Sequence, residues 1–384
     1  MTARVDEPFE LPTPALLVDL EKLDANLDRM KTHIDAIGKT CNHRPHLKTV
    51  KSPALAKRMT TFLDTDAITV STLKEAEVFA AEGYRDILYA VGIVPTKLDR
   101  VAALRAKGVD LIIVTDNAAT AREISSYCKK HDTTIPVLVE VDCDGHRSGI
   151  APDNPTELLE IAAALASAAE LRGVMTHAGG SYAAVTPEQR RACAVQEREA
   201  VLLAAQTLRA AGHRSSVTSI GSTPTAFDTD DLKGISEMRA GVYAFFDLVM
   251  AGIGVCQSEH IALSVLATVI GHQEDKGWII VDAGWMAVSR DRGTASQQID
   301  QGYGLVCDAG GGILRDIILV SANQEHGVIA VREGSDAGLP ELPVGTQVRI
   351  LPNHACATAA QHSEYVVLNG SNEEVARWPR FSGW

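Results

Sequence analysis

Residues 44–52 read RPHLKTVKS, a short strand candidate over 44–48 that runs into a lysine-bearing turn without a single glycine. That missing glycine decides the fold. A doubly wound, nucleotide-binding sheet needs a Gly-rich phosphate loop directly after its first strand, and this stretch has none. Working outward, seven more strand candidates follow: AITVST (67–72), DILYAV (86–91), DLIIVT (110–115), PVLVEVD (136–142), LRGVMTH (171–177), SVTSIGS (216–222) and EMRAGVY (237–243). Stretches rich in Ala, Leu and Glu at helical spacing separate them, as in LKEAEVFAAEG, which ends on the capping residue Gly83. Eight βα units close a barrel, so the expectation is an α/β chain with a (β/α)8, TIM-like barrel over residues 21–258.

From about Ile261 the rhythm changes to short strands and turns: SVLATVIG, GWIIVDAGW, GVIAVRE, TQVRILP, EYVVLNG and EVARW. This predicts a mostly β domain over 259–384, with residues 1–20 packing against it. At 384 residues and 46% hydrophobic, the chain has material for two ordinary cores. A formal charge of −13 with no basic run excludes a non-specific nucleic-acid binder. No apolar stretch approaches the roughly 20 residues that span a bilayer, so no membrane segment is expected. The acidic start MTARVDEPFE lacks the apolar core of an export signal. Seven scattered cysteines without CxxC spacing suit a reducing compartment, and cytoplasmic residence is the expectation.

In such a barrel, polar residues at the C-terminal ends of strands line the mouth. Those ends hold Arg44, His46 and Lys48; Asp142, Asp144, His146 and Arg147; His177 and Tyr182; Gly221, Ser222 and Thr223; and Arg239, Gly241 and Tyr243. A lysine walled by apolar groups would have a lowered pKa and could condense with an aldehyde. Lys48 is placed for that, although most lysines are simply solvated or ion-paired, the description that suits Lys51 and Lys74. The GST turn at 221–223, with GVY at 241–243, sits where barrels commonly hold phosphate; an ordinary tight turn is the plain alternative. In NHAC, His354 and Cys356 lie two apart, so on an extended strand both would face one way. Imidazole plus thiolate suits a zinc-like ion, with coincidence as the competing explanation.

These features occur within TPALLVDL, RPHLKTVK, STLKEAE, DGHRSG, THAGGSY, GSTPT, RAGVYAFFD, NQEHG and PNHACA, in that order over nearly the whole chain. With them the sequence resembles the fold-type III pyridoxal phosphate enzymes, which have an alanine racemase-like architecture, in the D-serine dehydratase and D-threonine aldolase family. Through SVLATVIGH, DKGW, VDAGWMA and SRDRG it looks most like the bacterial D-threo-3-hydroxyaspartate dehydratases.

The resemblance implies a dehydratase dependent on pyridoxal 5′-phosphate and a divalent metal (Zn, or Mn, Co or Mg), acting on small D-3-hydroxy amino acids. It implies Lys48 and Tyr182 as catalytic residues, with Lys48 holding the cofactor. Arg147 would lie near the pyridine nitrogen and His177 against the ring. Gly221, Ser222, Thr223, Gly241 and Tyr243 would hold the phosphate, and His354 with Cys356 the metal. Arg44, His46, Arg290, Arg292 and Gln324 are candidates for the substrate. A homodimer is implied, in which the metal pair serves its own barrel or the partner's. An aldolase using the same residues stays open, although Cys356 stands where aldolase relatives typically carry a carboxylate. A racemase and a non-catalytic cofactor carrier are the further alternatives.

Overall fold

The computed structural model describes residues 9–38 and 40–384. The described residues separate into two compact units, one formed by residues 27–243 with 382–384, the other by residues 9–26 with 244–381. These divisions fall inside the first long helix and just before the final approach to the β region, rather than at 20/21 and 258/259.

The larger unit is a parallel barrel. Its strands are β2 (Asn42–His43), β3 (Ala67–Val70), β4 (Asp86–Gly92), β5 (Asp110–Thr115), β6 (Pro136–Val141), β7 (Glu170–Thr176), β8 (Val217–Ile220) and β9 (Glu237–Met238), counting β1 (Ala15–Asp19) in the other unit. They pair in the order β2-β9-β8-β7-β6-β5-β4-β3. A parallel bridge between His46 and Thr69 joins the two ends of that order. Leu47 N–H donates to Thr69 O and Thr69 N–H to Pro45 O, both at 2.9 Å.

The β-branched runs supply the strands because branched side chains pack well on a pleated surface. Leu88, Ile112, Val114, Leu138 and Met175 form one buried cluster across β4 to β7. The helices start where the sequence provides caps. Thr72 accepts from Glu75 N–H, Asn117 from Thr120 N–H, Asn154 from Glu157 N–H, and Thr186 forms a capping box with Gln189, each cap contributing about 1 kcal/mol.

Two strands differ from expectation. The first regular strand is Asn42–His43, two residues earlier than 44–48. Pro45 has no N–H to extend a ladder, so residues 44–47 continue only as alternating bonds to Ala240, Met238 and Thr69. Lys48 follows the last of these. The eighth strand is just Glu237–Met238, because the chain turns into a 3-10 segment at Val242–Ala244.

In the smaller unit β1 pairs antiparallel with β10 (Leu263–Gln273) and parallel with β16 (Glu364–Leu368). β11 (Trp278–Val281), β12 (Leu305–Asp308), β13 (Ile313–Ala322), β14 (Gly327–Val331), β15 (Gln347–Leu351) and β17 (Glu374–Pro379) complete a nine-stranded sheet. β11 pairs with β10 as well as with β14, so six strands form a ring. Phe9, Leu11 and Ala15 pack against the cluster of Leu17, Leu266, Val366 and Leu368. Residues 9–19 are therefore built into this unit, while 1–8 lie outside the described residues. Among the described residues no helix is long and apolar enough to cross a membrane.

Candidate active site

The C-terminal ends of the barrel strands bring four cationic or imidazole side chains close to His46. Burial first, then the charges of Lys48, Arg239, His177 and Arg147, hold the His46 imidazole well below its ordinary pKa. His177 is lowered to about 3, mainly by burial, with Arg147, Lys48 and Arg239 adding to it against one backbone hydrogen bond. In a chain of net charge −13, such a focus of positive charge is a site for an anion.

Lys48 itself is exposed, not walled by apolar groups as expected. It sits one residue past the last strand pairing, where the backbone turns outward and its N–H approaches His46 Nδ1 at 3.4 Å. Lys51 is ion-paired with the buried Glu75 at 3.3 Å, the ordinary structural role.

His177 Nδ1–H donates to Gly221 O at 2.7 Å, which fixes the neutral tautomer and leaves Nε2 as the acceptor. Tyr182 lies on the 3-10 turn Gly179–Ala183, its ring 6.2 Å from that of His177 and tilted by 48°. Arg147 is exposed on the loop after β6. Its charge also reaches Glu140, whose carboxyl is pushed up by burial and held back by Ser148 and Arg147.

The GST turn is a cup of small groups. Ser222 Oγ lies 2.9 Å from both Ser181 Oγ and Thr225 Oγ1. Thr223 Oγ1 is buried with no hydrogen-bond partner, the kind of orphaned donor a phosphate oxygen would satisfy. Tyr243 is 1% exposed and burial alone raises its phenol pKa. Gly241 is required by packing, since a Cβ there would lie 2.5 Å from His46 O.

Gly221 does not fit its expected part. Its N–H donates to Glu197 Oε1 at 3.0 Å and its carbonyl accepts from His177, so neither backbone group faces outward to an anion. Glycine is needed at φ +146° for a different reason: a Cβ would lie 1.7 Å from Arg239 O.

Arg44 is also excluded from the substrate set. It is 5% exposed and donates from Nε to Glu237 at 2.7 Å and from its two terminal nitrogens to Asp86 at 2.8 and 3.1 Å. Asp86 and Glu237 begin β4 and β9, so this network lies at the N-terminal ends of the strands, opposite the mouth. Arg239 was legible as a strand-end residue but not as the mouth's buried cation; it is 3% exposed and donates to Ser219 Oγ and Thr176 O.

In the other unit His354 and Cys356 do come together, though not on a strand. His354 caps the short helix Ala355–Ala359, and Cys356 is in its first turn. Burial would lower the His354 pKa, but Asp291 and Cys356, the latter within hydrogen-bonding reach, raise it to about 11. Asp291 Oδ2 lies 2.7 Å from His354 Nδ1. A carboxylate there directs Nε2 outward, the arrangement that orients metal-binding histidines. Among the described residues no group of three or more His, Cys, Asp or Glu could hold a metal. His354 and Cys356 together offer imidazole and thiolate donors, one fewer than the three protein ligands of a usual catalytic zinc site.

Gln324 is exposed and lies near Glu325 at 3.4 Å. Arg290 stacks over Trp285, while Arg292 pairs with Asp300 and lies over Tyr303. Asp291, between the two arginines, is the residue of SRDRG that sequence reasoning passed over.

One consequence is testable by stability. His177 has a lowered pKa, so between about pH 3 and the unfolded value of 6.5 the unfolded chain binds the extra proton. His46 acts in the same direction. Stability is therefore full above pH 6.5 and declines below it, by up to about 1.4 kcal/mol per pH unit for each such group. Urea midpoints at pH 7 and pH 5 should differ, and His177→Gln should shrink the difference. An undiminished difference in the variant would assign the effect to other groups.

A parallel barrel with a lysine, two imidazoles and two arginines at its mouth, followed by a β unit holding a His–Cys pair, defines a class. The profile of the alanine racemase N-terminal domain matches residues 18–249 and that of the serine dehydratase domain residues 262–368. The chain belongs to this family of alanine racemase-like, fold-type III enzymes and, with its dehydratase members, to the lyases. It is 49% identical over 382 residues to the D-threo-3-hydroxyaspartate dehydratase of Delftia sp. strain HT23, covering 99% of this chain and 100% of that protein. The solved structure of that protein superposes with a TM-score of 0.94 at 48% identity, over 98% of this chain and 99% of that one. A D-serine dehydratase from Dictyostelium discoideum is 28% identical, with both chains fully covered. A 3-hydroxy-D-aspartate aldolase from Paracoccus denitrificans is 29% identical over 96% of this chain and 92% of its own length.

Proposed function

We propose that the chain is a dehydratase of D-3-hydroxy amino acids dependent on pyridoxal 5′-phosphate and a divalent metal. D-threo-3-hydroxyaspartate, giving oxaloacetate and ammonia, is the first substrate, and D-serine, giving pyruvate and ammonia, the second. The observation that carries this reading is Lys48 at a cation-lined barrel mouth beside a cup whose Thr223 Oγ1 is buried and unpartnered. The full-length likeness to the Delftia dehydratase supports it.

Pyridoxal phosphate supplies an electron sink that acidifies the substrate α-proton. Lys48 Nζ would hold the cofactor and, once freed, could move that proton. His177, kept neutral by burial and bonded to Gly221 O, would lie with Tyr182 beside the cofactor ring. Ser222, Thr223, Gly241 and Tyr243 form the phosphate site, with Gly241 serving by close backbone approach. His46 stays a candidate for the substrate in this reading.

A divalent ion supplies Lewis acidity, which stabilises charge developing on a leaving hydroxyl oxygen. His354 Nε2 and Cys356 Sγ are its protein ligands in this reading, and imidazole with thiolate favours zinc. Solved variants described as D-threo-3-hydroxyaspartate dehydratase, one with a His and one with a Cys changed to Ala, the latter in the metal-free form, carry these changes two positions apart. That spacing equals the spacing of His354 and Cys356. A homodimer and cytoplasmic residence belong to the same proposal.

If Asp291 orients His354, Asp291→Ala should weaken zinc binding by roughly ten- to a hundredfold, read by competition with a chromogenic chelator, with cofactor absorbance unaltered. Unchanged affinity would show that His354 needs no such support.

The function is tested by incubating the cofactor-loaded protein with D-threo-3-hydroxyaspartate, with and without a chelator, and weighing the products. Ammonia with oxaloacetate, or with pyruvate from its decarboxylation, abolished by chelation, is expected. Glycine with glyoxylate would establish the aldolase instead. Cofactor binding without turnover of this substrate or D-serine would leave a carrier.

A further inference from the structure

Glu197 is a charged residue on the buried face of the helix Pro187–Ala210, among Ala194, Ala200, Val201, Ala204 and Leu208. It is fully buried. A carboxylate in that position costs several kcal/mol unless its oxygens are satisfied, and here three donors satisfy it. Oε1 accepts from Ala178 N–H and Gly221 N–H, both at 3.0 Å, and Oε2 from Thr225 Oγ1 at 2.6 Å.

The donors come from different strand ends. Ala178 follows His177 at the end of β7, whereas Gly221 and Thr225 flank the GST turn after β8. One carboxylate from the helical layer thus ties together the loop carrying the candidate ring contact and the loop carrying the candidate phosphate cup. His177 closes the same circuit through Gly221 O.

The hydroxyls around the cup are oriented by the same group. Thr225 spends its proton on Glu197 and Ser181 spends its own on Ala178 O at 2.7 Å. Both oxygens can therefore only accept from Ser222, whose N–H lies 3.2 Å from Thr225 Oγ1. The backbone of Ser222 is held in place while Thr223 Oγ1 stays uncommitted.

We propose that Glu197 is a positioning residue for the cofactor phosphate, fixing the turn from Gly221 to Thr225 so that the uncommitted Thr223 Oγ1 is held ready for the anion. This rests on the barrel being the pyridoxal phosphate site. Glu197→Gln keeps an oxygen for both amides. Glu197→Leu and Glu197→Asp do not, the first having no acceptor and the second too short a reach.

The test compares pyridoxal 5′-phosphate with pyridoxal, which has the same aldehyde and ring but no phosphate. Dissociation constants for both are read by absorbance in the wild type and the three variants. The Leu and Asp variants should lose roughly ten- to a hundredfold in affinity for the phosphorylated form. Their affinity for pyridoxal should change by less than about threefold, and the Gln variant should bind both forms nearly as the wild type does. Should the Leu variant fail to fold, the Asp variant alone gives the same ratio. Equal losses for both compounds would mean a merely structural role and overturn the proposal, as would no loss for either. Failure of the wild type to bind pyridoxal phosphate at all would instead remove the underlying reading.

Discussion

Lys48→Ala is expected to lower turnover of D-threo-3-hydroxyaspartate by about four orders of magnitude, the upper end of what one positioned proton-transfer group contributes. The absorbance of lysine-bound cofactor should vanish with it. The protein should remain folded, because Lys48 is exposed and surface changes usually cost less than about 0.5 kcal/mol. The pyridoxal phosphate added to the variant should still occupy the cup, since Thr223, Ser222 and Tyr243 are untouched. Small primary amines should restore part of the rate by replacing the lost Nζ. Retention of a tenth of wild-type activity by the alanine variant would remove Lys48 from the chemistry. The neighbouring Lys51 supplies the control: its partner Glu75 is fully buried, so Lys51→Ala should lower stability more than turnover.

The second large effect concerns the metal. His354→Ala and Cys356→Ala should each reduce dehydration by about a thousandfold or more, since Lewis-acid stabilisation of a leaving oxygen contributes several kcal/mol. Each variant should also lose bound metal, measured by elemental analysis, while its cofactor absorbance stays as in the wild type. A chelator should reproduce the loss in the unaltered protein, and zinc should reverse it there but not in the variants. A metal-stripped protein that turns over at the original rate would sink the metal-dependent reading. Arg292→Ala offers a contrast from the same part of the sequence. Its partners are Asp300 and Tyr303, so its effect should fall on stability and leave metal content intact.

Much of the architecture was readable from local pattern. The runs 110–115 and 136–142 correspond to β5 and β6 almost residue for residue, because β-branched and apolar side chains at a short, bounded spacing have few other ways to be buried. The helix Leu73–Ala81 was marked by its helical spacing and by Gly83 shortly after its end. The likeness of whole motifs supplied the family, and the His–Cys spacing drew attention to two residues that the structure does bring together.

Charge partners, however, are set by chain segments far apart in sequence, and these were not legible. Arg44 shares its strand candidate with His46 and Lys48, yet it turns to Asp86 and Glu237, 42 and 193 residues away, at the opposite end of the strands. Gly221 sits in a phosphate-like turn, yet its N–H is taken by a carboxylate from a helix 24 residues earlier. Glu197 left one trace, a charge on a helix face that buries mainly Ala, Val and Leu besides Arg190, and its meaning depends on which amides lie beneath it. His354 and Cys356 meet through a helical first turn rather than a strand, and Asp291 reaches them across 63 residues. The sequence by itself determined the strands, the caps, the family and the residue types available for chemistry, since these follow from local propensity and short-range order. Only the tertiary structure decided which polar groups were committed to one another and which remained open, because hydrogen bonds and ion pairs are satisfied by whatever the fold brings within about 3 Å.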